Sequence, residues 1–293
     1  MKNILVLIAN PAGAALDTAT VQAAAEILRA GDAVVGAPDW LAPGIACDLP
    51  FDGPGSPVAL PNVDAVVVPA ANRRKKLLVA DMESTMIENE MLDELAEFVG
   101  LREKVSAITA RAMNGEIDFA GALAERVGLL KGLPVARLDE AAQRIAYMAG
   151  GAALVATMRR NGVYCALVSG GFTHFTALVH GRLGFDMHAA NNLDHDGRTL
   201  AGTVTSPILG KEAKLATLDR LCAELKISRA EALAVGDGAN DLPILQAAGL
   251  GVAFHAKPAV AAQVAARVDH GDLTALLYLQ GYRLSEFVER GKP

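Results

Sequence analysis

The spacing of hydrophobic residues changes near residue 77, and this change predicts two structural units. The first unit holds the apolar runs "NILVLIA", "DAVVGA" and "DAVVVPA", which are typical of strands. A helical pattern, "TATVQAAAEILRA", follows Asp17 as a candidate N-cap and stops at Gly31. The Pro- and Gly-rich stretch "LPFDGPGSPVALP" predicts a loop before the last of these strands. We therefore expect a small α+β unit over residues 1–72.

From Leu77 onward, strand-like runs alternate with helical patterns, which favours an α/β fold over residues 73–293. The strand-like runs are "KLLVAD", "VYCALVSGG", "ALAVGDGAND" and "LGVAF", and "NNLDHDGRTLAGTV" predicts a hairpin. Residues 86–150 contain no such run, and their apolar residues recur at helical spacing, as at Ile87 and Met91. We expect a parallel sheet with a helical cap inserted at about 86–150.

Composition narrows the classes of partner. The chain has 293 residues and a net charge of -6, so nucleic acid is not an expected partner. The one basic run, 73–76, is short and is interpreted as a solvated linker or strand start. The apolar run Ile4 to Ala9 is too short for a signal peptide, and no run is long enough to span a bilayer. With three widely spaced cysteines and no disulfide framework, we expect a cytoplasmic protein.

Three strand-like runs end in acidic or glycine-bearing turns, written "LLVAD-MEST", "CALVS-GG" and "LAVGD-GAND". Ligands of parallel sheets bind at the carboxyl ends of the strands. If these strands are neighbours, one crevice receives the side chains of Asp81, Glu83, Ser169, Asp237 and Asp241. Clustered carboxylates repel one another, and a cation that takes oxygen ligands, most often Mg²⁺, relieves that repulsion.

The remaining groups fit phosphate chemistry. The segment Ser169-Gly170-Gly171, ahead of a predicted helix, offers a hydroxyl and backbone N–H groups to an anion. Lys214 or Lys211 can supply a cation to a phosphoryl group. An aspartate such as Asp81 can attack phosphorus, and a second carboxylate can protonate the leaving oxygen and then activate water.

Residues 77 to about 285 resemble the phosphoserine phosphatases of the haloacid dehalogenase-like (HAD) superfamily. The motifs that carry the resemblance are "DMEST" at 81–85, "SGG" at 169–171, "KLATL" at 214–218 and "GDGAND" at 236–241. The resemblance implies a HAD-like Rossmannoid parallel sheet with a helical cap, and a weaker likeness of pattern relates residues 1–72 to ACT-type modules that can be regulatory. It also implies hydrolysis of O-phospho-L-serine to L-serine and phosphate, the last step of serine biosynthesis.

The resemblance implies a role for each matching residue. Asp81 becomes the nucleophile, Glu83 the acid and base, and Lys214, rather than Lys211, the cation that neutralises the phosphoaspartate. The implied Mg²⁺ ligands are Asp81, the backbone carbonyl of Glu83 and Asp237. Asp241 is implied to support both the metal and Lys214. Ser169 and Gly170 are implied to hold the phosphate, and Asn240 is implied to be an amide on the substrate side.

Two further matches concern the amino acid part of the substrate. Glu90 corresponds to the group that meets the ammonium, and Arg126 in the cap corresponds to the group that binds the carboxylate, which a guanidinium can do with two parallel bonds. Phe119 and Met113 are candidates for an apolar wall of the cap.

The sequence departs from the family pattern Asp-x-Asp-x-Thr at Glu83. The side chain keeps a carboxylate but is one methylene longer. We expect it to work through a shift of the first turn after Asp81. The alternatives are a phosphatase for phosphothreonine, phosphohomoserine or another small phosphomonoester, and a silenced amino-acid-binding regulator. A homodimer is the candidate assembly.

Overall fold

A six-stranded parallel sheet forms the centre of the larger unit in the computed structural model, which describes residues 1–113 and 116–288. Its strand order is β13-β12-β11-β6-β7-β8. The strands of this sheet are β6 (Leu77–Ala80), β7 (Tyr164–Phe172), β8 (Met187–Asn191), β11 (Ala232–Gly236), β12 (Leu250–Phe254) and β13 (Ala266–Val268). The antiparallel hairpin lies apart from the sheet and consists of β9 (Leu193–His195) and β10 (Leu200–Val204).

The three strands with polar ends are neighbours, because β6 pairs with β11 on one side and with β7 on the other. Every residue of β6 and β11 is buried, as expected for central parallel strands that are covered on both faces. This explains why both read as unbroken apolar runs. The predicted α/β class with a parallel sheet is confirmed.

Helices cover the sheet and form the insertion between β6 and β7. The helices of the insertion and of the segment that leads into β7 are α2 (Met91–Glu97), α3 (Arg102–Met113), α4 (Phe119–Gly128), α5 (Ala136–Ala142) and α6 (Gly151–Arg160). The helices that follow are α7 (Thr173–Leu183), α8 (Lys211–Leu225), α9 (Leu242–Ala247), α10 (Pro258–Ala261) and α11 (Ala275–Leu279), with 3-10 turns at Arg229–Glu231 and Leu284–Glu286. Within the described ranges, none of these helices combines the length and apolar character that a bilayer crossing requires.

The amino-terminal part of the chain folds as an antiparallel sheet packed on one helix. Its strands are β1 (Asn3–Ala9), β2 (Val34–Val35), β3 (Asp39–Ala42), β4 (Ala46–Asp52) and β5 (Val63–Pro69), in the order β2-β4-β1-β5 with β3 also paired to β4. Helix α1 (Thr18–Ala30) begins after Asp17, whose side chain accepts the Thr20 N–H, and ends at Gly31, as predicted.

The loop predicted at "LPFDGPGSPVALP" was wrong in its first part, because Leu49 to Asp52 belong to β4. Pro50 normally argues against an inner strand. Here the Pro50 carbonyl accepts the Gly36 N–H at 2.8 Å, and a strand residue directs its N and its carbonyl to the same side. The backbone N–H that Pro50 lacks would therefore face the point where β4 changes partner from β3 to β2. Its absence interrupts neither the β4–β3 nor the β4–β2 hydrogen bonds.

The basic run 73–76 is not a solvated linker throughout, which corrects the interpretation from sequence. The Arg73 side chain is only 11% exposed and forks onto the buried carboxylate of Asp48 in β4. It also donates to the carbonyls of Tyr278 and Leu279. Lys75 is also buried and donates to the Asn72 and Ala230 carbonyls. These side chains join the antiparallel sheet to the larger unit.

Asp64 in β5 makes a second connection between the two parts. Its buried carboxylate accepts backbone N–H groups from Asp269, His270 and Gly271, at 2.8, 3.1 and 2.7 Å. Because a buried carboxylate without partners is costly, these three bonds hold β5 against the segment after β13.

Candidate active site

A buried ion triad stands at the carboxyl ends of β6 and β11. Lys214 in α8 places its Nζ 2.7 Å from Asp81 Oδ1 and 2.7 Å from Asp241 Oδ1. Asp81 follows β6 directly, and its Oδ1 also accepts the Met82 N–H at 2.8 Å. Burial disfavours the lysine charge, but the two aspartates outweigh burial and raise the pKa of Lys214. The lysine is therefore held as a cation between two carboxylates.

Asp237 adds a third carboxylate to this cluster. Asp81, Asp237 and Asp241 are all buried, and each offers an oxygen within 4.8 Å of the others. Burial first, and then the charge of Asp81, raises the pKa of Asp237 to about 6 and raises the pKa of Asp241. A second lysine, Lys257, places its Nζ 3.7 Å from Asp237 Oδ2. The cluster is an oxygen-rich site suited to a divalent cation.

Glu83 turns from this cluster toward the start of α2. Its Oε1 accepts the Met91 N–H at 2.9 Å, and a Cβ on Gly171 would lie 2.8 Å from its Oε2. Burial, followed by the charge of Glu90, raises the pKa of Glu83 to about 8, against the effect of the Met91 N–H. A carboxyl group with this pKa carries its proton at neutral pH, which suits a group that donates a proton.

The glycine segment at the end of β7 differs in detail from the prediction. The strand runs through Ser169 to Phe172, and the Gly171 N–H donates to Ser169 Oγ at 2.9 Å, so this N–H is already engaged. Sequence reasoning missed Asn191 at the end of β8. Its buried side chain donates to the Gly170 carbonyl at 2.8 Å and accepts the Leu209 N–H at 2.7 Å. Asn191 thereby connects the glycine segment to the loop that leads into α8. The sequence signal that could have identified Asn191 is its position as a polar residue at the end of a fourth strand.

Glu90 and Arg126 approach the site from the insertion. Glu90 is exposed and accepts a hydrogen bond from Ser84 Oγ at 2.7 Å. Arg126 in α4 is partly buried, and donates from Nε to the Ala122 carbonyl and from Nη1 to Thr109 Oγ1. Burial lowers the pKa of Arg126, and the nearby charges of Glu83 and Glu90 oppose this.

Of the other residues that the sequence suggested for the site, some lie at it and Lys211 does not. A Cβ on Gly170 would lie 3.0 Å from Phe119 Cζ, so the Phe119 ring of α4 covers the glycine segment. Asn240 is partly buried in the turn between Asp237 and Asp241. Lys211 points to solvent, with its Nζ 3.8 Å from Glu212, away from the triad that Lys214 forms. The side chain of Met113 lies outside the described residues.

Comparison with known sequences adds a family and named relatives. Residues 78–246 match the family model of haloacid dehalogenase-like hydrolases. The phosphoserine phosphatase of Haemophilus influenzae is 43% identical over 203 residues, which are 69% of this chain and 65% of that protein. The phosphoserine phosphatase of Lactococcus lactis is 42% identical over 203 residues, 69% of this chain and 94% of that protein. The chain thus spans just under two thirds of the first relative and nearly all of the second.

Solved structures show similarity on two scales. A HAD family hydrolase from Salmonella enterica serovar Typhi superposes with a TM-score of 0.81 at 27% identity, covering 94% of this chain and 97% of that one. A structure described as a phospho-aspartyl intermediate analogue of phosphoserine phosphatase superposes with a TM-score of 0.66 at 36% identity. It covers 70% of this chain and 98% of that one. The first similarity therefore extends over nearly the whole chain, including the antiparallel sheet.

Proposed function

Because this chain belongs to the haloacid dehalogenase-like hydrolases, we propose that it hydrolyses O-phospho-L-serine to L-serine and phosphate through a phosphoaspartate at Asp81. The observation that carries the proposal is the buried lysine shared by Asp81 and Asp241 at the end of the central strand. Relatives about 40% identical are phosphoserine phosphatases, which supports the substrate.

The two carboxyl groups divide the chemistry. Both hydrogen bonds from described residues to the Asp81 carboxylate reach Oδ1, which leaves Oδ2 to attack phosphorus. The P–O bond to serine breaks as the Asp81–phosphorus bond forms, and Glu83 gives its proton to the serine oxygen. Glu83 then takes a proton from water, whose oxygen attacks phosphorus and releases phosphate and the Asp81 carboxylate.

We propose Mg²⁺ as the cation of the site. The donor set fits this ion, since Asp81 and Asp237 offer carboxylate oxygens and Asp241 is held by Lys214. The resemblance to the family assigns the Glu83 backbone carbonyl as a further ligand. When bound, Mg²⁺ supplies positive charge to phosphate oxygens. Ser169 and Gly170 hold the phosphate, and Asn240 stands on the substrate side.

The amino acid part of the substrate lies between the core and the insertion. Glu90 meets the ammonium, and Arg126 meets the carboxylate with the part of its guanidinium that is not used by Ala122 and Thr109. Phe119 covers the glycine segment and excludes water from the phosphate. Opposite charges at Glu90 and Arg126 match a zwitterionic amino acid better than a phosphorylated alcohol.

We further propose residues 1–72 as a regulatory unit, a homodimer as the assembly and the cytoplasm as the location. All three cysteines are free and buried, which fits a reducing compartment. Sedimentation with and without L-serine tests the assembly and any response to the amino acid.

The first experiment measures phosphate release from O-phospho-L-serine, O-phospho-L-threonine and p-nitrophenyl phosphate, with Mg²⁺ and with EDTA. We expect release that requires Mg²⁺ and prefers phosphoserine. In Arg126→Ala, KM for phosphoserine rises roughly 10- to 100-fold as a charged bidentate contact is lost, while KM for p-nitrophenyl phosphate stays within twofold. Equal turnover of all three substrates contradicts the proposed substrate, and binding of phosphoserine without release favours a silenced regulator.

A further inference from the structure

The turn after β6 reaches across to the start of α2 through two adjacent side chains. Glu83 Oε1 accepts the Met91 N–H at 2.9 Å, and Ser84 Oγ donates to Glu90 Oε1 at 2.7 Å. Glu90 occupies the N-cap position of α2, but its own side chain makes no capping hydrogen bond. Glu83 therefore supplies the oxygen that an N-cap side chain usually offers to the first turn of a helix.

We propose that Glu83 is a positioning residue for Glu90, in addition to its proton-transfer role, and that this second role requires the length of glutamate. The inference rests on the proposed function, in which Glu90 meets the substrate ammonium. It gives residue 83 a part in substrate affinity, which the side-chain oxygen carries through the backbone of α2.

Side-chain length decides whether the contact forms. Aspartate at position 83 would withdraw the carboxylate by one C–C bond, about 1.5 Å. Starting from 2.9 Å, the acceptor would then stand roughly 4 Å from the Met91 nitrogen, beyond the range of about 2.7–3.2 Å for an N–H···O bond. The first turn of α2 would lose its acceptor and Glu90 would lose its fixed starting point.

The surrounding chain leaves little room for a compensating shift. The Met82 carbonyl accepts N–H groups from Thr85, Met86 and Ile87, and these three residues are buried. Ser84 has a positive φ of 53°, an uncommon conformation for a residue with a side chain. The backbone between Asp81 and α2 is therefore held at several points, and the side chain of residue 83 must span the gap.

Gly171 makes room for the longer side chain on the opposite side. A Cβ at this position would lie 2.8 Å from Glu83 Oε2 and 3.1 Å from its Oε1. The Glu83 carboxylate is thus enclosed between the Met91 N–H and the backbone of Gly171. Replacing Gly171 by alanine would displace the carboxylate without altering residue 83.

The test compares L-serine affinity by isothermal titration calorimetry in wild type, Glu83→Gln and Glu83→Asp, with Mg²⁺ and phosphate present. Glutamine keeps an acceptor oxygen at the same length, so Glu83→Gln binds L-serine within twofold of wild type. Glu83→Asp binds it roughly 3- to 10-fold more weakly, the factor expected for one lost hydrogen bond. The reverse order, with Glu83→Gln weakened and Glu83→Asp unchanged, shows that charge rather than length matters and overturns the inference.

Three further readouts separate this role from general damage. Glu83→Asp loses hydrogen-exchange protection at the Met91 N–H, and its KM rises for phosphoserine but not for p-nitrophenyl phosphate, which has no ammonium. Gly171→Ala weakens L-serine binding similarly, and the Gly171→Ala/Glu83→Asp double variant is no weaker than Glu83→Asp. Wild type that turns over phosphoserine, with equal L-serine affinity in Glu83→Asp, overturns this inference alone. Wild type that neither binds L-serine nor releases phosphate overturns the proposed function and the inference with it.

Discussion

Replacing Lys214 by methionine removes the one cation of the buried triad and keeps most of the side-chain volume. The Lys214 side chain is 1% exposed and its Nζ contacts Asp81 and Asp241 at 2.7 Å each. Removing one partner from a buried ion pair leaves the other charge uncompensated and costs about 3–5 kcal/mol. For a chain of this size, Tm falls by on the order of 10 °C. Turnover falls roughly 100- to 1,000-fold, as for loss of a group that stabilises charge on the reacting phosphoryl oxygens.

The destabilisation depends on pH in a direction that the triad determines. Without Lys214, the folded-state pKa of Asp241 rises further above its unfolded value, because burial and Asp81 already raise it. In the folded variant, Asp241 then binds a proton that it does not bind in the unfolded chain. The variant's loss of unfolding free energy relative to wild type therefore becomes smaller as pH falls through the folded-state pKa of Asp241. In wild type, the contribution of the Lys214 charge is fully present below its unfolded pKa of about 10.4 and does not change between pH 5 and 8. We therefore expect a larger deficit at pH 8 than at pH 5.

The assay is thermal unfolding of both proteins in EDTA at pH 5 and pH 8, so that no metal ion replaces the lost charge. Lys211→Met is the matched control, since it is the same substitution one turn earlier in α8, at a side chain that is 57% exposed. An exposed ion pair contributes about 0–1 kcal/mol, so this control should unfold and turn over like wild type. Equal Tm values for Lys214→Met and Lys211→Met at pH 8, or a deficit that does not shrink at pH 5, would refute the reasoning.

Three other predictions follow from the site and from the join between the two parts of the chain. The rate of phosphoenzyme formation falls as pH rises through about 8, where Glu83 loses its proton, and rapid-quench measurements on Glu83→Gln should show a slow rate without this dependence. Protons compete with Mg²⁺ at Asp237, so the Mg²⁺ concentration for half-maximal activity rises toward tenfold per pH unit as pH falls below about 6; a constant requirement between pH 7.5 and 5 would contradict this. Asp64→Asn replaces one oxygen of a carboxylate that accepts three backbone N–H groups, so urea unfolding should show that the free energy of unfolding falls by about 1–3 kcal/mol. The control Asp32→Asn, at an exposed turn, should show little change.

Most strands of the parallel sheet could be predicted from local patterns in the sequence. Strands β6 and β11 are short, apolar and bounded by polar turns, and such runs are readable without knowledge of their neighbours. The antiparallel sheet was harder to predict, because β4 contains Asp48, Pro50 and Asp52 in a strand that an apolar pattern does not mark. Asp48 is acceptable there only since Arg73, 25 residues later, returns to pair with it.

The sequence by itself determined which carboxylates meet, because Asp81 and Asp237 each follow a strand directly and parallel strands bring their ends to one edge. Only the tertiary structure decided which atoms they touch. Lys214 and Lys211 differ by one turn of α8, yet one reaches the triad and the other reaches solvent. The extra methylene of Glu83 has meaning only beside Met91, because a hydrogen bond depends on a few tenths of an ångström between groups that the fold brings together.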